Sequence, residues 1–384
     1  MTSFPTLSEE HEEFRRIMRD FAAKEVAPHA AQWDAQQCFP LDVVEKMAEL
    51  GLFGLPFPER WGGSGGDFTS LCIAVEELGY ADQSVGITLS AAVGLGISPI
   101  YHFGTDAQRE RWLPDLVAGR TLAAFGLTEP DGGSDAGGTR TKAVRDDQRG
   151  RWILNGSKSF ITNSGTSITS VITATARTSG DRISCFLIPA GTPGLIVDPP
   201  YRKLGWHASD THGLTFEDLE LPDDALLGDE GRGYANFLAI LDEGRVAIAA
   251  LALGLARACL DMAVEYAGTR HAFGRPIGSN QGVAFALSDL AVKVENSHNL
   301  TYKAAHLRDL GRPSKRLAAM AKLYATEAAV DATRVATQVF GGLGFSEELP
   351  LARFYRDAKV LEIGEGTSEI QRMLIARELG LPSR

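Results

Sequence analysis

The chain predicts an α+β multidomain protein: an N-terminal helical domain, a middle antiparallel β domain and a C-terminal four-helix bundle. Three observations predict it. Apolar residues recur at three- and four-residue spacing up to about residue 121. Short β-rich runs broken by glycine and proline fill 122–232, and long alanine-rich helical patterns occupy 233–384. At 384 residues the chain is also too long for one ordinary core.

In the first domain (1–121), Phe14, Ile17, Met18 and Phe21 form one helical stripe, and Leu41, Val44, Met47 and Leu50 another, with Gly51 as its stop. A Gly/Pro-rich loop follows. Its Gly62-Gly63-Ser64-Gly65-Gly66 matches the spacing of a nucleophile elbow, but that elbow needs a strand before it, and Pro56 and Pro58 break the preceding segment, so a flexible loop is expected. Helical patterns resume at Leu71–Leu78, Ala91–Ile97 and Trp112–Val117. In the middle domain (122–232) the strand candidates are Trp152–Leu154, Ser159–Thr162, Val171–Ala174, Ile183–Ile188 and Leu214–Phe216, and Asn155-Gly156 reads as a hairpin turn between the first two. In the third domain (233–384), helices are predicted near 234–269, 281–310, 314–340 and 350–379, joined at Pro276, Pro313 and Pro350.

Within the last span, Glu365 stands between Gly364 and Gly366. Val360, Leu361 and Ile363 close one packed element, and Ser368 with Gln371 fits a capping box opening the next. A carboxylate on such a link suits a general base beside a bound carbonyl, or is an ordinary turn residue.

Composition narrows the classes. A net charge of −11 argues against nucleic acid as the main partner. The four cysteines are scattered without a CxxC, so neither zinc nor a disulfide framework is indicated and a cytoplasmic, reducing compartment is expected. MTSFPTLSEEHEEFRRI lacks a signal-peptide pattern, and no charge-free apolar run of about 18 residues is expected, hence no membrane span. GxGxxG and P-loop motifs are absent. His207 and His212 lack a ligand-rich companion segment, so no metal is assigned. Phe125–Asp135 is a loop rich in glycine and hydroxyls that suits a polar heterocycle or phosphate, or a plain surface loop; Arg270 and Arg275 suit phosphates or a solvated helix end.

Four blocks carry a family resemblance. They are FGLTEPDGGSDAGG (125–138), WILNGSKSFITN (152–163), the pair RHAFGRPI (270–277) and QVFGGLGF (338–345), and YRDAKVLEIGEGTSEIQR (355–372). In this order, on a helical–β–helical chain, they resemble the acyl-CoA dehydrogenases over essentially the full length. The resemblance implies FAD-dependent α,β-dehydrogenation of an acyl-CoA to the trans-2-enoyl-CoA, as in fatty-acid β-oxidation, with electron-transfer flavoprotein as acceptor and a homotetramer built as a dimer of dimers. It implies Glu365 as the catalytic base. For FAD it implies Phe125, Leu127, Thr128, Ser134, Phe160, Thr162, Arg270, Phe273, Gln281, Gln338, Gly341, Gly342, Thr367 and Glu369. For the substrate it implies Ser134, Asp242, Arg245 and Gly366. Two departures bear on the acyl chain: Gly364 stands where several members carry Tyr, and Phe160 where Trp is common. Other readings are an acyl-CoA oxidase-like flavoenzyme, whose relatives are usually longer, and a catalytically silent acyl-CoA-binding module.

Overall fold

A computed structural model describes residues 7–382; Met1–Thr6, where the N-terminal expectation partly falls, lie outside the described residues. The N-terminal helices are α1 (Glu9–Phe21), α2 (Ala30–Gln36), α3 (Leu41–Glu49), α4 (Phe68–Ala81), α5 (Gln83–Ser90), α6 (Ser98–Phe103) and α7 (Asp106–Val117). The middle strands are β1 (Leu122–Gly126), β2 (Lys142–Asp146), β3 (Arg151–Thr162), β4 (Thr169–Arg177), β5 (Ile183–Pro189), β6 (Leu195–Val197), β7 (Thr211–Pro222) and β8 (Leu226–Leu227). Helices α8 (Gly233–Thr269), α9 (Gln281–Asp309), α10 (Lys315–Phe340), α11 (Gly342–Phe345), α12 (Leu351–Leu361) and α13 (Ser368–Glu378) complete the chain, with a small hairpin, β9 (His271–Ala272) and β10 (Arg275–Pro276), after α8.

The sheet order is β6-β7-β3-β2-β4-β5-β8, with β1 on β4. Its long ladders are antiparallel, but β1 runs parallel to β4, which an all-antiparallel expectation missed. The hairpin expected at Asn155-Gly156 is also absent. β3 is one continuous strand that pairs with β7 on both sides of a bulge at Leu154–Gly156. Gly156 has φ +147°, and a Cβ there would lie 2.6 Å from the Thr141 hydroxyl, so the glycine answers a close approach to the strand beside it rather than a turn. Asn155 donates its amide to Asp218 (3.0 Å) across the bulge. The real turn comes earlier, at 147–150, between β2 and β3.

The Gly62–Gly66 loop folds back on its own stem: the Ser64 N–H donates to the Gly54 carbonyl (3.0 Å) and the Gly65 N–H to that of Phe57 (2.9 Å). Among the described residues no strand precedes it, as a nucleophile elbow requires.

The spine of the molecule is α8. Its alanine-rich middle is buried between α4 and α10. Arg257 of α8 ion-pairs with Glu76 and Glu77 of α4, the second at 2.8 Å, and Arg15 of α1 lies 3.5 Å from Glu76. Glu76 also accepts the Tyr302 hydroxyl from α9. A buried carboxylate of this kind is tolerated only because every side of it is paired.

The expectation of no charge-free stretch of membrane length fails at 83–103, where 21 residues run without Asp, Glu, Lys or Arg. That stretch and Gly233–Thr269 are long and apolar enough to cross a bilayer by length and composition; 89% and 78% of their most apolar windows are buried inside this fold.

Candidate active site

Between α12 and α13 the chain makes a left-handed turn: Glu365 has φ +53° and Gly366 φ +92°. The cap of α13 is Thr367, whose hydroxyl accepts the Ile370 N–H (3.3 Å). The cap thus falls one residue before the expected Ser368, and with Ile370 at the third helical position the expected capping box does not form. Its partner Gln371 instead turns back, donating to the carbonyls of Gly366 (2.9 Å) and Glu365 (3.3 Å). The turn projects Glu365 inward. As a residue it is half-buried, yet its Oε2 is enclosed and has no hydrogen-bond partner. Burial pushes its carboxyl up to about 7, with Lys322 and Arg245 pulling the other way. The Glu365 N–H makes no hydrogen bond among the described residues.

Opposite stands Gly244 of α8. A Cβ built there would collide with Glu365 Oε2, so this glycine makes the room that the carboxylate fills. Asp242 and Arg245 flank it; Arg245 is 4% exposed and ion-paired with Asp242. The guanidinium therefore faces the base and its own neighbour, an enclosed position that sequence alone does not convey.

About 10 Å back along α8, Phe237 stacks on Phe125 (ring centroids 3.9 Å apart). That contact ties the 125–138 loop to the helix carrying Gly244. Gly137 of the loop lies against Tyr234. Leu127 is buried and Ser134 exposed. The Thr128 carbonyl accepts the Ser159 N–H (2.9 Å). Beneath the loop, Lys158 is fully buried and donates to Glu129 (2.7 Å), Thr175 (3.1 Å) and the Leu127 carbonyl (3.4 Å). Glu129 in turn accepts the Arg140 and Thr141 N–H groups. Sequence reading missed this buried pair; Lys158 lies among Gly156, Ser157 and Ser159 and carries no local mark of burial. Phe160, 65% exposed with φ +60°, stacks on Tyr201 (4.7 Å) and leaves an open aromatic face, with Thr162 two residues on and partly exposed.

The other predicted cofactor residues lie elsewhere. Tyr266 stacks on Phe340 (4.1 Å), joining the far ends of α8 and α10. Arg270, Phe273, Gln281, Gln338, Gly341 and Gly342 all sit around that junction and all are exposed, Phe273 at 99%. Thr367 and Glu369 remain beside the Glu365 turn. The donor set fits FAD: an open aromatic plane with a hydroxyl suits a ring system, and a guanidinium with a second free aromatic ring and two amides suits a diphosphate and purine.

His207 and His212 are engaged by protein. The His212 ring bonds to Asp210 (2.8 Å) and the Asp198 carbonyl (2.6 Å), and His207 to the Lys203 carbonyl (2.9 Å). Among the described residues no group of three or more His, Cys, Asp or Glu side chains is placed to hold a metal.

An enclosed carboxylate and, on the middle domain, an open aromatic face with a nearby hydroxyl suit a flavoenzyme. The comparisons specify the class further. The chain matches the acyl-CoA dehydrogenase N-terminal domain at residues 8–120, the middle domain at 124–219 and the C-terminal domain at 231–380. It is 46% identical over 376 residues to a Bacillus subtilis protein named "Probable acyl-CoA dehydrogenase YngJ", covering 97% of this chain and 98% of that one. Among solved structures, butyryl-CoA dehydrogenase from Megasphaera elsdenii superposes with a TM-score of 0.94 at 41% identity, over 98% of this chain and 99% of that one. A chain in a structure described as the electron transferring flavoprotein of Acidaminococcus fermentans matches with a TM-score of 0.94 at 40% identity, over 97% and 98%. This chain belongs to the acyl-CoA dehydrogenase family. It is an FAD-dependent oxidoreductase that dehydrogenates acyl-CoA thioesters.

Proposed function

We propose that Glu365 takes the α-proton of the acyl-CoA and that the electrons pass on to electron-transfer flavoprotein. One observation carries the first part: the Glu365 carboxylate is enclosed, unpaired and held near neutrality. A base of that kind is half ionised at working pH and loses no hydrogen bond when it turns to substrate. Its own N–H is free to donate to the thioester carbonyl and so stabilise the charge that develops there. FAD supplies the acceptor for the hydride that leaves the β-carbon. Ser134, exposed on the 125–138 loop, and Asp242 are proposed to meet the pantetheine and CoA portions of the substrate, as the family resemblance implies, and Arg245 to act through the base. The acceptor assignment draws on the likeness to the Acidaminococcus structure, and a cytoplasmic setting on four cysteines that are all free.

The acyl slot sets the range of substrates. The likeness to butyryl-CoA dehydrogenase favours a short chain. Two features favour more room: a Cβ on Gly94 would meet nothing within 4 Å, and one on Gly364 only the Val360 carbonyl at 3.5 Å. The slot is expected to tolerate longer or branched chains. A panel of acyl-CoAs, each tested by anaerobic bleaching of the flavin, checks this; a tenfold or greater advantage for butyryl-CoA over all others refutes it, since a widened apolar slot discriminates weakly. Reoxidation of the bleached enzyme by electron-transfer flavoprotein but not rapidly by air supports the dehydrogenase; rapid reoxidation in air favours an oxidase.

The proposed assembly draws on the length of α8. From Gly244 to the end of α8 there are 26 helical residues, about 39 Å. The Arg270–Gly342 cluster is therefore far from its own Glu365 and is proposed to complete the cofactor site of a neighbouring copy, within a dimer of dimers. Light scattering is expected to find a tetramer with one FAD per subunit. A monomer that keeps its full FAD at low micromolar concentration contradicts this.

A further inference from the structure

Behind the Glu365 turn lies a second buried lysine. Lys322 of α10 has no exposed surface, and its Nζ donates to the Gly366 carbonyl (2.8 Å). Gln371 donates to the same oxygen from α13, so one carbonyl receives two donors from two helices. A non-glycine residue at φ +53° is not self-supporting and persists only where its surroundings hold it.

We infer that Lys322 is a positioning residue for the reaction. Its ammonium holds the Gly366 carbonyl, and with it the Glu365 turn, and its charge favours the ionised Glu365 that can accept a proton. This rests on Glu365 being the base. The charged groups that act on Glu365 come from two elements: Lys322 from α10, and Arg245, with Asp242 paired to it, from α8. Glu362, just past α12 and paired to Lys359, acts on Lys322. Glu327, also near Lys322, is paired to Arg372 (2.6 Å). Arg245 shares its charge with Asp242, whereas Lys322 pairs with no carboxylate among the described residues, so its charge is the less neutralised of the two that act on the base. Burial lowers the Lys322 ammonium to about 8, against the pull of Glu365, so it is still a cation where Glu365 titrates.

The test compares FAD-loaded Lys322→Met and Lys322→Arg with the parent. The rate of anaerobic flavin reduction is followed against pH, and the protonated-carboxyl infrared band that disappears in Glu365→Gln is titrated in parallel. Removing a nearby opposite charge raises a carboxylate by about 1–3 units. Lys322→Met is therefore expected to move both midpoints upward by about one unit or more, roughly tenfold in rate at a fixed pH below the midpoint. Lys322→Arg keeps both near the parent's. A merely structural lysine would lower the rate equally at every pH and leave the infrared midpoint in place; that result overturns the inference. If Lys322→Met fails to fold, Lys322→Gln decides: a midpoint raised by about one unit or more supports the inference and an unshifted midpoint refutes it. Should Glu365→Gln reduce its flavin normally, the base assignment has failed instead, and the two failures are distinct.

Discussion

Glu365→Gln is expected to keep FAD, fold and acyl-CoA binding and to lose flavin reduction by roughly 10²–10⁴-fold. The amide fills nearly the same volume, and Oε2 has no partner whose loss would disturb the site. What disappears is the proton acceptor. The parent should also show a rate that rises with pH through about 7, because burial has lifted the Glu365 carboxyl there and the ionised form is the active one. The variant should lose that limb of the profile. The readout is anaerobic bleaching with a good substrate across the pH range; bleaching at the parental rate would show that another group takes the α-proton.

Much of this was legible in the sequence because it is written locally. Helical stripes such as Leu41–Val44–Met47 report a buried face directly, and Val44 and Met47 are fully buried. The turn around Glu365 was visible because glycines flank it and a hydroxyl-bearing cap follows. What was not legible is what the fold assembles from distant segments. Lys158 and Glu129 are separated by 29 residues, Lys322 and Gly366 by 44, and Arg257 and Glu76 by 181, and neither member of any pair carries a local mark of its partner. Asn155-Gly156 shows the opposite failure. It carries a strong local hairpin signal, yet the glycine is there because Thr141, just before β2, crowds it. Local signals name a conformation that a residue permits; tertiary neighbours decide why it is used. The uncharged 83–103 stretch makes the same point for hydropathy, since its apolar character serves the inside of the helical domain.

The strongest test of the site's geometry moves the carboxylate to another backbone. Gly244 and Glu365 face each other so closely that a Cβ on the first would occupy the space of the second's Oε2. Glu365→Gly empties that space. Glycine at 365 is also at ease with the φ of +53° that the turn requires, so the turn should survive the loss of the side chain. Gly244→Glu then sends a carboxylate into the emptied region from α8, where replacing a mid-helix glycine gains about 0.5–1 kcal/mol of helix propensity. Glu365→Gly alone is expected to be nearly inactive. The double variant is expected to recover measurable flavin reduction, short of the parental rate, because a base misplaced by about 1 Å costs roughly 10²-fold. Gly244→Ala in the parental background is the steric control: it adds the clash without a new carboxylate and should slow reduction by displacing Glu365. Anaerobic bleaching reads all three. If the double variant is as dead as Glu365→Gly while Glu365→Gln is dead too, Glu365 remains the base and the facing positions do not converge on one α-carbon. If the double variant recovers and Gly244→Ala is impaired, the carboxylate's place in space, rather than its place in the chain, is what the reaction requires.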